Sequence, residues 1–219
     1  MTKNVSNKDS KINHAKPHYH HGDLRVAIIK QALVSIKEQG VQNLSIRNLA
    51  REIGVSHTSP YRHFIDKQAL LAAIAEDGYK ILLESMRQAL DSSEHLATRI
   101  EEVSCAYVNF TLAYPVHSQL MFGNELANRK NYPSLQESAD RVFATAHDIL
   151  QAGQKNHLVA HGSAELITAT MWSWVHGLAN LLGTNRMQLD YCKDHNTDEL
   201  TRQSVRLLFS GILKNFDKK

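Results

Sequence analysis

Leu44-Ser45-Ile46-Arg47-Asn48-Leu49-Ala50-Arg51-Glu52-Ile53-Gly54-Val55-Ser56-His57-Thr58-Ser59-Pro60-Tyr61-Arg62-His63-Phe64 sets the terms for the whole 219-residue chain. Ser45 is a natural N-cap. Ile46, Leu49, Ala50 and Ile53 recur at helical spacing behind it. Gly54 ends that short helix and allows a sharp reversal, Val55 fills the turn, and Ser56 caps a second short helix from His57 to about Phe64. Two short helices joined through a glycine turn have the length and turn of a helix-turn-helix. The second is too small and too polar for a core element. It displays His57, Thr58, Ser59, Tyr61, Arg62 and His63, with Phe64 as its one strong anchor. A recognition helix needs such a face, to reach base edges in the major groove and phosphates on the flanks. The free N–H groups behind Ser45 and Ser56 also favour phosphate. Arg47 and Lys67 stand near helix starts, where a cation gains little from the helix dipole unless a phosphate is near. A polar surface helix in an ordinary bundle explains the polarity but neither the shortness nor the glycine turn. Pro60 forfeits the backbone bond to Ser56, so the helix is expected to be strained or partly 3-10 at its start.

Outward from this stretch, helices are expected on both sides. Leu24, Ile28, Leu33 and Ile36, with Ala27 and Ala32, predict a helix from Asp23 to about Gln39, stopped by Gly40. Asp66 is placed to cap a long helix from Lys67 toward Leu90, long enough to link two domains. Further helices are expected over Leu96–Tyr114, Val116–Phe122, Pro133–Asn156, Ser163–Leu182 and from Thr197 to about Phe216. Residues 1–21 are polar and without apolar period, a basic arm holding His14, His18, His20 and His21 but no fixed geometry for a metal.

Composition agrees. Hydrophobic residues make up 42%, enough for a core, while ten glycines and four prolines leave long uninterrupted stretches, which favours an all-helical chain. The net charge is +3, but residues 1–70 hold eleven Lys/Arg against five acids, and the remainder is net −3. A basic N-terminal third on an acidic body fits a nucleic-acid-binding end. Two distant cysteines, Cys105 and Cys192, form neither a disulfide framework nor a metal knuckle and suit a reducing cytoplasm. No signal-peptide h-region and no membrane-length apolar run is present.

The C-terminal part carries more polar-tipped aromatics than a plain core needs. Tyr107, Val108, Thr111, Tyr114, Met121, Phe122, Phe143, His147, Met171, Trp172, Val175 and His176 are the candidates for a small-ligand pocket with apolar walls and a few polar tips. The competing reading is core packing. Small residues on the last two helices (Ala164, Ala169, Gly177, Ala179, Ser204, Ser210, Gly211) would allow close helix approach. The apolar Leu178, Leu181, Leu182, Val205, Leu208, Phe209 and Ile212 would supply a four-helix interface between two subunits. Packing within one chain is the alternative.

The run from Leu44 to Ser56, with Pro60-Tyr61-Arg62-His63-Phe64 and Asp66-Lys67-Gln68-Ala69-Leu70-Leu71, resembles the DNA-binding domain of TetR-family regulators. Tyr19-His20-His21-Gly22-Asp23-Leu24-Arg25 is similar to one subgroup. Trp172-Ser173-Trp174-Val175-His176-Gly177-Leu178 resembles the Trp-His-Gly signature of one C-terminal domain type. The resemblance implies an all-α homodimer. Its N-terminal three-helix helix-turn-helix domain (22–66) is joined by a long helix to an effector-binding and dimerisation domain (67–219). It implies repression at a pseudo-palindromic operator, relieved by a small molecule. By position, Ser45, Arg47, Tyr61, His63 and Lys67 would contact phosphate, and His57, Thr58, Ser59 and Arg62 would lie nearest the bases. No cofactor is implied. An enzyme is the weaker alternative, since no phosphate loop, nucleophile elbow or helical metal motif is present, and His147 and Asp148 point to different faces. A constitutive architectural DNA-binding protein is another; it predicts sequence-indifferent binding and no closed pocket.

Overall fold

The computed structural model describes residues 21–159, 161–187 and 195–210. Among them are eight α-helices and no strand. They are α1 (His21–Gln39), α2 (Ile46–Glu52), α3 (Lys67–Asp91), α4 (Leu96–Ala113), α5 (Pro115–Phe122), α6 (Pro133–Lys155), α7 (Ala164–Gly183) and α8 (Thr197–Ser210). Single 3-10 turns occur at Val41–Asn43, Pro60–Arg62 and Arg129–Asn131. Apart from His21, the first residue of α1, the expected N-terminal arm lies outside the described residues, as do Cys192 and everything from Gly211 onward. No described helix is long and apolar enough to cross a membrane.

The N-terminal core forms as the apolar spacing predicts. Leu24, Ile28, Ile29, Ala32 and Ile36 of α1 bury one stripe against Ile46, Leu49 and Ala50 of α2, and Phe64, Leu70, Leu71 and Ile74 close it. Arg25 lies over the Phe64 ring, 5.5 Å from its centre. Gly54 has φ +74°, and the backbone bonds that this permits end α2: Gly54 N donates to Arg51 O at 3.2 Å and Val55 N to Ala50 O at 2.9 Å. Ser45 occupies the N-cap of α2 in extended conformation, but its hydroxyl makes no capping bond.

The second helix of the pair differs from expectation. In place of a helix over His57–Phe64 there is a turn closed by Ser59 N to Ser56 O (3.1 Å), then the 3-10 turn Pro60–Arg62. The missing N–H of Pro60 is the physical reason: Ser56 O has no donor four residues on and takes the one three residues on. Only at Phe64, whose N–H reaches Pro60 O at 3.0 Å, does an α-type bond appear.

Asp66 caps α3 as expected, its carboxylate accepting from Ala69 N at 2.7 Å. At 25 residues α3 is about 37 Å long. It leaves the N-terminal core and packs on α4, α5 and α6, while α6, α7 and α8 all lie against α4. α3 and α5 approach closely only because residue 78 is glycine: a Cβ there would stand 2.6 Å from Met121 Sδ and 2.9 Å from His117 Cβ. Gln68, in the first turn of α3, clasps the α5–α6 connection. It donates to Glu125 O and accepts from Ala127 N, both at 3.1 Å. Arg202 and Arg206 pin α8 to Glu102 and Glu101 of α4 in paired bonds of 2.8–3.1 Å.

Of the apolar residues expected to face a second subunit, Leu178 and Val205 are buried in the chain's own core, because α7 and α8 each turn one stripe onto α4. Leu181 is exposed, Leu182, Leu208 and Phe209 are half-buried, and Ile212 is outside the described residues. Leu166 and Leu207, not singled out from sequence, are the most exposed large hydrophobic side chains of these two helices, at 67% and 59%. Among the small residues, Gly177 opens onto free space and Ala179 is buried.

Candidate functional site

Two sites lie along α3, one at its N-terminal end and one against its second half. At the N-terminal end, Ser56, His57, Thr58, Tyr61 and Arg62 are exposed on the turn, and Arg47 is exposed on α2. Ser45, Ser59, His63 and Lys67 are half-buried around them. The Tyr61 ring is 52% exposed, so it is a surface group and not an anchor; burial falls to Pro60 and Phe64. The Ser56 hydroxyl is bonded to those of Ser59 (2.6 Å) and Thr58 (3.2 Å), so the three hydroxyls form one preordered cluster and do not cap a helix. Lys67 Nζ donates to Gln42 O at 3.0 Å, which holds the ammonium beside the segment leading into α2. Residues 56–63 carry no carboxylate. The face thus offers donors, acceptors and positive charge to a polyanion.

The second site is a cavity of about 300 Å³ between α3, α4, α6 and α7, closed at one side by the end of α5. Six of the twelve residues expected at a pocket line it: Tyr107, Phe122, Phe143, Met171, Trp172 and Val175. The other six do not. Val108 and Met121 have no exposed surface and pack between helices. Tyr114 stacks on Phe110 at the end of α4. His147 lies behind Phe143 with its Nδ1 3.5 Å from the Thr168 hydroxyl. Thr111 and His176 line a separate groove between α4, α5 and α7. Sequence reasoning missed Tyr79 and Met86, which α3 contributes to the wall, and Gln136, Ala139 and Asp140 of α6. The α6 residues were available as a signal: 136, 139, 140, 143, 146 and 150 follow helical spacing on one face. Nothing local marks Tyr79 and Met86, which reach the cavity only because the linking helix runs past it.

A hydrogen-bond chain crosses the α4–α7 side. Trp172 Nε1–H donates to the Tyr107 hydroxyl oxygen at 3.1 Å, and that hydroxyl is hydrogen-bonded to His176 Nδ1 at 2.9 Å. Burial pushes His176 below the ordinary histidine value and the Tyr107 hydroxyl above the ordinary tyrosine value, so both stay neutral at neutral pH. Burial also pushes the Cys105 thiol up to about 12, which leaves it unreactive. The Phe122 ring contacts those of Tyr79, Tyr107 and Trp172 at 5.8–6.1 Å and that of His176 at 4.9 Å. The Tyr79 hydroxyl donates to Met121 O at 3.1 Å and accepts from Arg129 Nη2 at 2.8 Å.

A polar, cationic helix-turn-helix coupled by one helix to an apolar cavity defines the class of regulators that carry DNA reader and ligand sensor in one chain. Comparison with known proteins agrees. Residues 28–74 match the family model for bacterial regulatory proteins of the tetR family, and residues 100–208 match that for the tetracyclin repressor-like C-terminal domain. The chain belongs to the TetR family, whose members are DNA-binding repressors with effector-binding C-terminal domains. Over 52 residues it is 42% identical to the class C tetracycline repressor of Escherichia coli, covering 24% of each chain. It spans 52% of the length of the nucleoid occlusion factor SlmA of Pasteurella multocida, at 23% identity over 106 residues, 48% of this chain. The solved structure of a protein of unknown function from Rhodococcus sp. RHA1 has 31% identity and a TM-score of 0.77, with 89% of this chain and 98% of that one covered. FadR of Bacillus subtilis, solved in complex with stearoyl-CoA, shares the fold at 16% identity and a TM-score of 0.70, over 85% of this chain and 98% of that one.

Proposed function

We propose that this chain is a homodimeric cytoplasmic repressor that binds a pseudo-palindromic operator and is released when a small-molecule effector fills the cavity. One observation carries the reading: α3 starts in the DNA-facing unit, at Asp66 and Lys67, and twelve residues on from Lys67 supplies Tyr79 to the cavity wall. In this reading Ser45, Arg47, Tyr61, His63 and Lys67 hold phosphates, Ser56 orders the hydroxyl cluster, and His57, Thr58, Ser59 and Arg62 face base edges. Residues 22–66 form the reader and 67–219 the sensor and dimer unit, with no catalytic step. The exposed Leu166, Leu181 and Leu207 with the open Gly177 support dimerisation through α7 and α8. Trp172 and His176, linked through Tyr107, support the finer assignment to the Trp-His-Gly subgroup.

The test is selection of bound duplexes from a random pool, followed by a metabolite screen for release. Enrichment of one motif with two half-sites about 10 bp apart is expected. Indifferent binding with no releasing compound would favour an architectural protein, and turnover of a substrate without DNA affinity would favour an enzyme.

A further inference from the structure

The chemistry of the cavity wall narrows the class of effector, an inference that rests on the effector reading above. We propose that the cavity takes a lipophilic cation, an aromatic body of about three rings bearing one positive charge.

Two independent features of the wall carry this. The first is charge. Asp140 is the only charged side chain among the described residues that line the cavity. It sits one turn before Phe143 on the cavity-facing stripe of α6, and Gln136 Nε2 donates to one of its oxygens at 2.7 Å, orienting the carboxylate. The neighbouring cations are turned elsewhere. Arg141 pairs with Glu137 on the outer face of α6. Arg129 gives its guanidinium to the Met121 carbonyl and the Tyr79 hydroxyl. A carboxylate or phosphate ligand would thus enter beside a negative group with no lining cation to meet it, whereas a cation would find a partner.

The second feature is aromaticity. Tyr107, Phe122, Phe143 and Trp172 line the wall beside Tyr79, whose ring already lies under the Arg129 guanidinium at 5.7 Å and is not free for a ligand. Ring faces carry negative quadrupole potential and attract cations, more strongly when desolvated. Phe143 and Trp172 are 40% and 43% exposed, so the rings nearest solvent stand where an entering cation first meets the protein. The volume sets the size: about 300 Å³ is roughly twice the 150 Å³ that admits a benzene.

The test uses the full-length chain and three probes on one tricyclic frame, at mildly alkaline pH: N-methylacridinium (cation), acridine (neutral) and anthracene-9-carboxylate (anion). Binding is read by calorimetry and operator release by fluorescence anisotropy of a labelled duplex. The cation is expected to bind about tenfold more tightly than acridine, equivalent to about 1.4 kcal/mol, and the anion more weakly than both. Asp140→Asn, a substitution at an exposed position, should remove most of that preference and lower acridine affinity far less than that of the cation. The proposal is overturned if acridine or the carboxylate binds as well as the cation, if Asp140→Asn leaves the preference intact, or if no probe binds. The release readout separates the two readings. Asp140-dependent cation binding without release would keep the ligand class and remove the effector role. Release by acridine or the carboxylate without cation preference would do the reverse.

Discussion

Arg47 and Arg62 are both exposed, 15 residues apart in sequence, yet they are expected to fail differently when removed. Arg47 lies one residue into α2, beside the N-terminus where free N–H groups already draw phosphate. Arg62 lies at the end of the 3-10 turn, among the groups proposed above to face base edges. Each phosphate contact contributes about 0.9 to the slope of log affinity against log salt. A dimer presents Arg47 twice, so Arg47→Ala should lower the slope by about 1.8. Between about 50 and 200 mM salt the advantage of the unmodified protein over the variant should therefore shrink about tenfold, equally for every operator variant. Arg62→Ala should instead cost about 1–3 kcal/mol on the preferred operator and much less on duplexes altered at the base pair it reads. The assay is an anisotropy titration across a salt series, with the selected operator and single-base variants. An unchanged slope in Arg47→Ala, together with unchanged base preference in Arg62→Ala, would remove the assignment of this face to DNA.

Three other perturbations test the body of the molecule. Gly78→Ala puts a methyl 2.9 Å from His117 Cβ and 2.6 Å from the fully buried Met121 Sδ. Overpacking of about 1–3 kcal/mol set against about 1 kcal/mol of helix propensity should leave net destabilisation in chemical denaturation. Adding Met121→Ala should couple to it by more than about 0.5 kcal/mol, and strict additivity would remove the close-packing argument. Tyr107→Phe breaks the bonds to Trp172 and His176. At about 1 kcal/mol each, less for the solvent-exposed Trp172, the loss should be about 1–2 kcal/mol and lower Tm by about 2–8 °C. Burial holds His176 below the ordinary histidine value of 6.5, so the folded state prefers the neutral ring. Its contribution to stability is full above pH 6.5 and is lost as pH falls from there through the folded value. Denaturation midpoints across that window should flatten in His176→Gln.

The reader was legible in the sequence and the sensor only half so, for a physical reason. Over residues 21–90 structure is set by local chemistry: Gly54 at positive φ, the Asp66 cap and the spacing of Leu24, Ile28 and Ile36 each act within a few positions. Even the departure at residues 57–64 follows from one atom, the absent N–H of Pro60. A cavity is a property of facing elements. Helical spacing marks Val108 and Phe143 alike as apolar, but not that Val108 is wholly enclosed while Phe143 borders a void. Tyr79 was missed because a helix assigned to linking also forms a wall. Leu166 and Leu207 went unnoticed because exposure is settled by which stripe of α7 and α8 turns to α4.

The geometry also limits how ligand and DNA can be coupled. In the proposed reading the turn from Ser56 to His63 offers base edges only the exposed His57, Thr58 and Arg62 and the half-buried Ser59, too few for a unique site, so specificity would require two copies held one helical turn apart, about 34–36 Å. Bending α3 would be an expensive way to alter that spacing. The helix is locked to α5 by the close approach at Gly78 and the Tyr79–Met121 bond, and to the α5–α6 connection by Gln68. A ligand that displaces Phe122 or Tyr79 therefore acts on α3 and α5 as one body. The Asp66 cap and the burial of Leu70 and Leu71 against the N-terminal core carry that motion into the reader. At about 1.5 Å rise per residue, Lys67 lies about 18 Å along α3 from Tyr79. A tilt of only about 3° across that lever moves the helix start by about 1 Å, and opposite tilts in two subunits change the separation of the readers by twice that amount. Release thus requires no change of fold in either domain.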